Sequence, residues 1–272
     1  MGWLPEKIKE IFGGIPMSEE RLSKVRLKNF IMSSIVFLGV GCGYSEASES
    51  WYVVDNYTGT IGKYPVHLSI QSYDFGSGVN VEGIYYYEHN NSPIVLFGKE
   101  KAGDIVLCEI SSKKDFEKYI VSGDKYDATT CPFRITKYGQ TLKGEWKNKN
   151  IKLGVTLSKV ASMDKYDITS KNGELDVPFW GDTDKHSFIG VYKQGNEGIT
   201  INEIKVLSKD DGQVIQVINP QDNKCDFGFY MTPIYQNVER FSGSSISLNC
   251  YSTNSDVSVE YSFKGSKYLK NN

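Results

Sequence analysis

The sequence predicts a mainly β protein: an antiparallel β-meander forming a barrel or sandwich, then a second, smaller β-rich domain. Three observations predict it. Apolar and polar residues alternate with period two from Tyr57 to about Val160. Turn residues punctuate that stretch roughly every ten residues, the spacing of a meander. The rhythm breaks over 161–185, a stretch rich in Asp, Lys, Ser, Thr and Gly, and resumes at His186. The expected organisation is therefore a meander domain over 57–160, a linker or crossover over 161–185 and a second domain over 186–272. Phe179-Trp180 is expected to anchor one end of the linker.

Val66, Leu68 and Ile70 alternate with His67, Ser69 and Gln71, so one face of this strand is buried and the other wet. Gly76-Ser77-Gly78 turns the chain into a strand from Val79 to Tyr87. His89-Asn90-Asn91-Ser92-Pro93 is a turn, and Ile94 to Phe97 is the return strand. Lys101-Ala102-Gly103-Asp104 turns again into Ile105, Leu107 and Glu109. Lys113 to Val121 reads as a helical turn or an irregular strand, followed by a polar loop through Thr130. Phe133 and Ile135 lead through Tyr138-Gly139 into Leu142 to Trp146, and Val155 and Leu157 lie on the last strand of this half.

Strand candidates in the second half are Phe188 to Tyr192, Ile199 to Leu207, Val214 to Ile218, Phe227 to Tyr235, Ser245 to Tyr251 and Val257 to Phe263. A hairpin folded around Asn237–Val238 is expected to set Cys225 opposite Cys250, Phe227 near Leu248 and Phe229 near Ile246.

Phe30 to Val40 is a run of eleven largely apolar residues behind Arg21, Lys24, Arg26 and Lys28 and ahead of Cys42. A basic segment, a short apolar core and a small-residue end make an export signal. Spanning a bilayer takes about 20 apolar residues, so this run is short for a membrane helix. Residues 1–42 are expected to be that signal and 43–56 a tether. Two cleavage readings are open. Gly39-Val40-Gly41-Cys42 resembles a bacterial lipoprotein signal, in which Cys42 becomes acylated and ties the protein to the membrane. Ser45 and Ala47 fit an ordinary cut after Ala47, which releases the protein. An uncleaved anchor is the third reading. Met1 to Pro16 is amphipathic and punctuated by Gly and Pro, and a start at Met17 gives an ordinary leader, so the upstream stretch is expected to be a mis-start. The destination is the bacterial periplasm or outer membrane, or the medium.

Residues 1–42 carry six basic and four acidic side chains, which leaves 25 basic and 29 acidic beyond them. A mildly acidic chain lacks the basic footprint of nucleic-acid binding. Cys42 falls in the signal, and Cys108, Cys131, Cys225 and Cys250 form an even set suited to an oxidising compartment. Proximity along the chain favours Cys108–Cys131 and Cys225–Cys250. The cysteines show no C-x-x-C spacing and His67, His89 and His186 are scattered, so neither a metal site nor any other cofactor is expected.

No nucleophile elbow, zinc-protease helix or phosphate-cradling loop occurs, and the three histidines read as surface residues. Glu82, Glu109 and Glu145 fall on successive strands and are the acids that glycoside chemistry would need. No catalytic residue is assigned, and the chain is read as a non-enzyme. The aromatic content points instead to binding. In Tyr85-Tyr86-Tyr87, period two sends Tyr85 and Tyr87 to one face and Tyr86 to the other, and half-polar rings suit protein or sugar contacts.

The segments Gly83-x-Tyr85-Tyr86-Tyr87, Pro93-Ile94-x-Leu96-x-Gly98, Ile105-x-Leu107-x-Glu109 and Leu142-x-Gly144-x-Trp146 form one pattern. Tyr57-x-Gly59-x-Ile61 and Pro65-Val66-x-Leu68 stand ahead of them as opening strands. Together they resemble a family of uncharacterised exported bacterial proteins, and Gly144-Glu145-Trp146 is similar to the lipocalin Gly-x-Trp. The resemblance implies a lipocalin-like β-meander and carries no catalytic residue. The expected function is a non-catalytic binding module that docks a protein or glycan partner in the cell envelope. One form of it is an inhibitor or immunity protein against a cell-wall-degrading enzyme. A lipid or small-ligand carrier and a glycan hydrolase are the alternatives.

Overall fold

The alternation of the first half closes into a barrel. The computed structural model describes residues 52–74, 79–110, 112–122, 126–164, 167–195, 198–223, 234–251 and 256–271. Eight strands follow one another as antiparallel neighbours: β1 (Tyr52–Ile61), β2 (Tyr64–Asp74), β3 (Val79–Tyr87), β4 (Ile94–Lys101), β5 (Asp104–Ile110), β6 (Phe133–Tyr138), β7 (Thr141–Asn148) and β8 (Ile151–Met163). β8 returns to pair with β1, from Ile61 opposite Val155 to Val54 opposite Met163, and removes both sheet edges. A bulge shifts that register between Asn56 and Tyr57, leaving Val160 as the extra residue on β8. A short β9 (Ile168–Thr169) pairs with the end of β8.

The barrel interior is filled. Tyr57, Ile61, Val66, Leu68, Ile70, Val81, Tyr85, Leu96, Ile105, Leu107, Phe133, Ile135, Leu142, Val155 and Leu157 form one buried core. Inward positions between these residues, Gly98 and Gly144 among them, lie against the backbone of a neighbouring strand. A Cβ at Gly98 would overlap the Val106 carbonyl oxygen, and one at Gly144 the Arg134 carbonyl oxygen. The wall is therefore drawn in where side chains are missing, and aromatic rings fill the space elsewhere.

The long connection from β5 to β6 folds back over the outer wall. It holds α1 (Lys113–Phe116) and a π-helical turn, Glu117–Val121, in the stretch read as a helical turn or irregular strand. Phe97 on the wall packs against Tyr119 and Tyr126, with centroids 5.4 and 4.6 Å away. The predicted Cys108–Cys131 disulfide is present, with Cα atoms 4.2 Å apart, and staples this segment to β5.

Two four-stranded antiparallel sheets make up the rest of the described strands. The stretch 161–185, expected to be a linker, contains β9 and β10 (Glu174–Pro178). β10 opens a sheet with β11 (His186–Gly195), β12 (Gly198–Ser208) and β13 (Val214–Ile218). The other sheet is β14 (Val238–Ser242), β15 (Ser245–Tyr251), β16 (Asp256–Lys264) and β17 (Lys267–Lys270). β11 is buried on both faces from His186 to Tyr192. On the barrel side, the Ser187 hydroxyl donates to the Asn91 carbonyl at 2.6 Å, and on the other side Phe188 meets Tyr268 edge-on at 5.2 Å. One continuous apolar core joins both sheets to Val54, Ile84 and Met163 of the barrel's outer wall.

The hairpin expected around Asn237–Val238 does not form. Leu248 pairs with Val238 on one side and Val259 on the other, and Ile246 with Arg240 and Tyr261. The turn falls instead at Gly243, which takes the left-handed φ of 52° that a β-branched Val238 resists. Asn237 closes a 3-10 turn, Ile234–Gln236, and donates from its side-chain amide to the Tyr192 hydroxyl at 2.8 Å. Cys250 is disulfide-bonded. Cys225, Phe227 and Phe229 lie outside the described residues, as do Cys42 and the export segment.

Candidate functional site

Between the outer wall of the barrel and the β10–β12 face that looks toward it runs a groove of about 420 Å³. Strand alternation builds it. On β2, Leu68 points into the barrel core, so His67 and Ser69 point out into the groove. On β3, Tyr85 faces inward and Tyr86 outward. On β10, Leu175 and Val177 enter the sheet-to-sheet core, which leaves Glu174 and Asp176 on the groove side. Ile189 of β11, Lys205 of β12, Val160 and Ala161 of β8 and the loop Ser170-Lys171-Asn172 complete the walls.

His67 and Tyr86 sit opposite each other across the β2–β3 ladder and stack, with centroids 5.0 Å apart and planes 18° apart. Glu88 Oε1 lies 3.0 Å from His67 Nε2 and steadies the ring from outside. Burial, then the charges of Asp176 and Glu88, pushes the Tyr86 phenol up to about 12, so it remains a hydrogen-bond donor through the physiological range. Asn56 crosses the groove and donates to the Asp176 carbonyl at 2.6 Å, fixing barrel wall to sheet. Its own side-chain oxygen is buried without a hydrogen-bond partner among the described residues. Lys205 reaches both Asp176 carboxylate oxygens at 3.3 Å, and Lys193 lies 2.6 Å from Glu174. The result is a stacked aromatic pair ringed by amide, hydroxyl, carboxylate and ammonium groups.

The three tyrosines singled out from sequence separate as period two requires. Tyr86 lines the groove, Tyr85 is buried in the barrel core, and Tyr87 is half-buried at the barrel mouth. The three strand carboxylates do not converge. Glu109 accepts the Tyr85 hydroxyl and the Trp146 indole inside the barrel, at 2.6 and 2.7 Å. Glu82 lies on the outer wall against Tyr73, and burial raises its carboxyl above the ordinary value. Glu145 is ion-paired with Lys152 near the surface. Of the histidines, His89 is exposed in its turn and His67 is half-buried in the groove. His186 is buried with Nδ1 3.1 Å from the Tyr268 hydroxyl, and burial lowers its pKa. Among the described residues no group of three or more histidine, cysteine or acidic side chains could hold a metal ion.

Sequence reasoning missed Asn56, Asp176 and Lys205. Asn56 and Asp176 are 120 positions apart, and no local pattern joins them. The one available clue was that His67 shares its strand face with Ser69, opposite a run of core residues. No family model, curated protein or solved structure matches the chain.

Proposed function

We propose that the protein is an exported, non-catalytic binding module whose ligand is a glycan held in the groove between the barrel wall and the β10–β12 face. The observation that carries this reading is the His67–Tyr86 stack set among Asn56, Asp176, Lys171 and Lys205. A sugar ring presents an apolar C–H face and a rim of hydroxyls. It needs an aromatic surface beside paired donors and acceptors on a rigid frame, which two packed sheets supply. The groove also has the volume of a small-ligand site.

The competing activities have less support. A carrier needs an apolar interior with room for cargo, whereas this barrel is filled by its own side chains. A hydrolase needs two acids flanking one bond, one of them kept protonated. The groove's own acids, Glu174 and Asp176, are each engaged by a lysine rather than turned toward one shared point in the groove. Contact with a protein is the second reading, in the form of an inhibitor or immunity protein against a wall-degrading enzyme. It is favoured by Val214, Ile215 and Val217, which stand exposed on the edge strand β13.

The test is binding of the full chain to a glycan array and to insoluble cell-wall glycans, beside Tyr86→Ala. Loss of one stacking ring is expected to weaken binding about tenfold. Absence of any glycan binding, or equal binding by the variant with unchanged circular dichroism, overturns the reading.

A further inference from the structure

The inward-pointing side chains of the barrel finish differently at its two ends. At the end where β1 begins, Asp55 is met by cations of the chain itself. Lys159 Nζ lies 2.7 Å from Oδ1 and Lys137 Nζ 3.9 Å from Oδ2, and the Ser162 hydroxyl donates to Oδ1 at 2.6 Å. At the opposite end β3 finishes in Tyr85 and Tyr87, β5 in Glu109 and β7 in Trp146, while Tyr64 begins β2. Here, among the described residues, the acid is met only by neutral donors. Both the Tyr85 hydroxyl and the Trp146 indole N–H donate to the same oxygen, Glu109 Oε1. No lysine, arginine or histidine among the described residues is ion-paired with Glu109.

Aromatic rings frame that carboxylate. Tyr87 meets Tyr85 edge-on at 5.6 Å and Tyr64 edge-on at 6.1 Å. Tyr87, Trp146 and Glu109 are each half-buried and Tyr64 is 47% exposed, so the rings and the acid reach the mouth of the barrel together. An ammonium group already visits this rim: Lys63 Nζ lies 5.5 Å from the Tyr64 ring centroid. Aromatic faces around a single negative charge are the chemistry that strips water from an ammonium and holds it by cation–π attraction and an ion pair. Anions gain little from such a frame.

We infer that the Tyr64–Tyr87–Trp146–Glu109 mouth is a binding site for an organic ammonium group. The group is either a methylated ammonium on a small molecule or the head of a lysine side chain on a protein. The site is separate from the groove, because Tyr87 faces into the barrel and Tyr86 away from it.

The experiment is an NMR titration of the full chain with two probes, choline chloride and N-acetyl-lysine amide, each against sodium chloride at equal ionic strength. The reporter is the Trp146 indole N–H, identified as the indole signal that moves in Glu109→Gln. That variant keeps an acceptor for both the indole and the Tyr85 hydroxyl, so the fold survives. A saturable shift of this signal by either probe in the millimolar range is expected. Tighter choline binding assigns the site to a methylated small cation, and tighter lysine binding to a protein side chain. Glu109→Gln and the surface variant Tyr64→Ala are each expected to weaken binding about tenfold. A Trp146 signal that moves no further than in sodium chloride, or an unchanged affinity in Glu109→Gln, overturns the inference.

Discussion

Asp55 at one end of the barrel is 4% exposed and is shared by Lys159, Lys137, Ser162 and the Tyr57 hydroxyl. Glu109 at the other end is half-buried and, among the described residues, has the Tyr85 and Trp146 donors alone. Depth accounts for the difference. A carboxylate removed from water requires a charge of opposite sign beside it, whereas one that keeps contact with solvent is stable with neutral donors. The Asp55 end is thus a lock formed by the chain's own cations, and the Glu109 end is a surface with unspent negative charge. The same strand alternation produces both, since Asp55, Lys137 and Lys159 follow the inward register of Tyr57, Ile135 and Leu157 just as Glu109 follows that of Leu107.

The sharpest way to break this contrast is to neutralise each acid in turn. Asp55→Asn leaves Lys159, 16% exposed, without its counter-charge and is expected to cost about 4 kcal/mol. Glu109→Gln keeps an acceptor for both donors and is expected to cost less than about 1 kcal/mol. Urea unfolding of the two variants, with midpoints compared at unchanged slope, checks the pair. Equal losses would mean that both ends are structural locks.

A second effect concerns the wall at the Glu109 end. The chain leaving β5 there returns over Phe97 and is held by Cys108–Cys131, a separation of 23 residues. The double replacement Cys108→Ser with Cys131→Ser is expected to cost about 3 kcal/mol, the loop-closure value for a segment of this size. It should also speed exchange of the Trp146 indole N–H while leaving amides near Asp55 protected. Equal loss of protection at both ends would show that the barrel opens as one unit.

Much of this was legible in sequence because period two is a local property. Val66 to Gln71 and Tyr85 to Tyr87 declare within a few residues which side chains enter the barrel, and the structure keeps that alternation. The opposite face of β2 is not wet as expected, because Ser69 and Gln71 are buried, Ser69 against the Tyr235 hydroxyl. Closure was not legible. It depends on β8 continuing past Val160 through a bulge, and the Val160-Ala161 pair looks there like the end of a strand. β10 was hidden by its brevity and by Pro178, a residue that marks strand ends. In the sequence the turn at Gly243 competes with a symmetrical spacing of cysteines about Asn237–Val238, and the left-handed glycine is the stronger hairpin determinant. The groove was out of reach, since Asn56, Tyr86, Asp176 and Lys205 come together only when the barrel and the β10–β13 sheet have packed.

The smallest expected effect lies at alkaline pH, where each end holds a buried phenol beside its acid. Burial first, and then the neighbouring carboxylate, raises Tyr57 beside Asp55 and Tyr85 beside Glu109 far above the ordinary phenol value. A phenol raised in the folded state binds its proton when the unfolded chain has already lost it. Its stabilisation is therefore complete below the unfolded value near 10 and declines as pH rises beyond it, by about 1.4 kcal/mol per pH unit for each such group. Replacing either acid by its amide removes only the smaller cause and leaves burial in place. Stability of Glu109→Gln relative to the parent, followed by urea unfolding from pH 8 to about pH 11, should thus be flat. The decline common to both proteins comes from burial, and the carboxylate's share appears only once the folded phenol itself begins to ionise. A loss in Glu109→Gln that shrinks steeply as soon as pH passes about 10 would show that Tyr85 ionises in the folded barrel, so that its mouth is wetter than the Asp55 end by more than the half-burial of Glu109 implies.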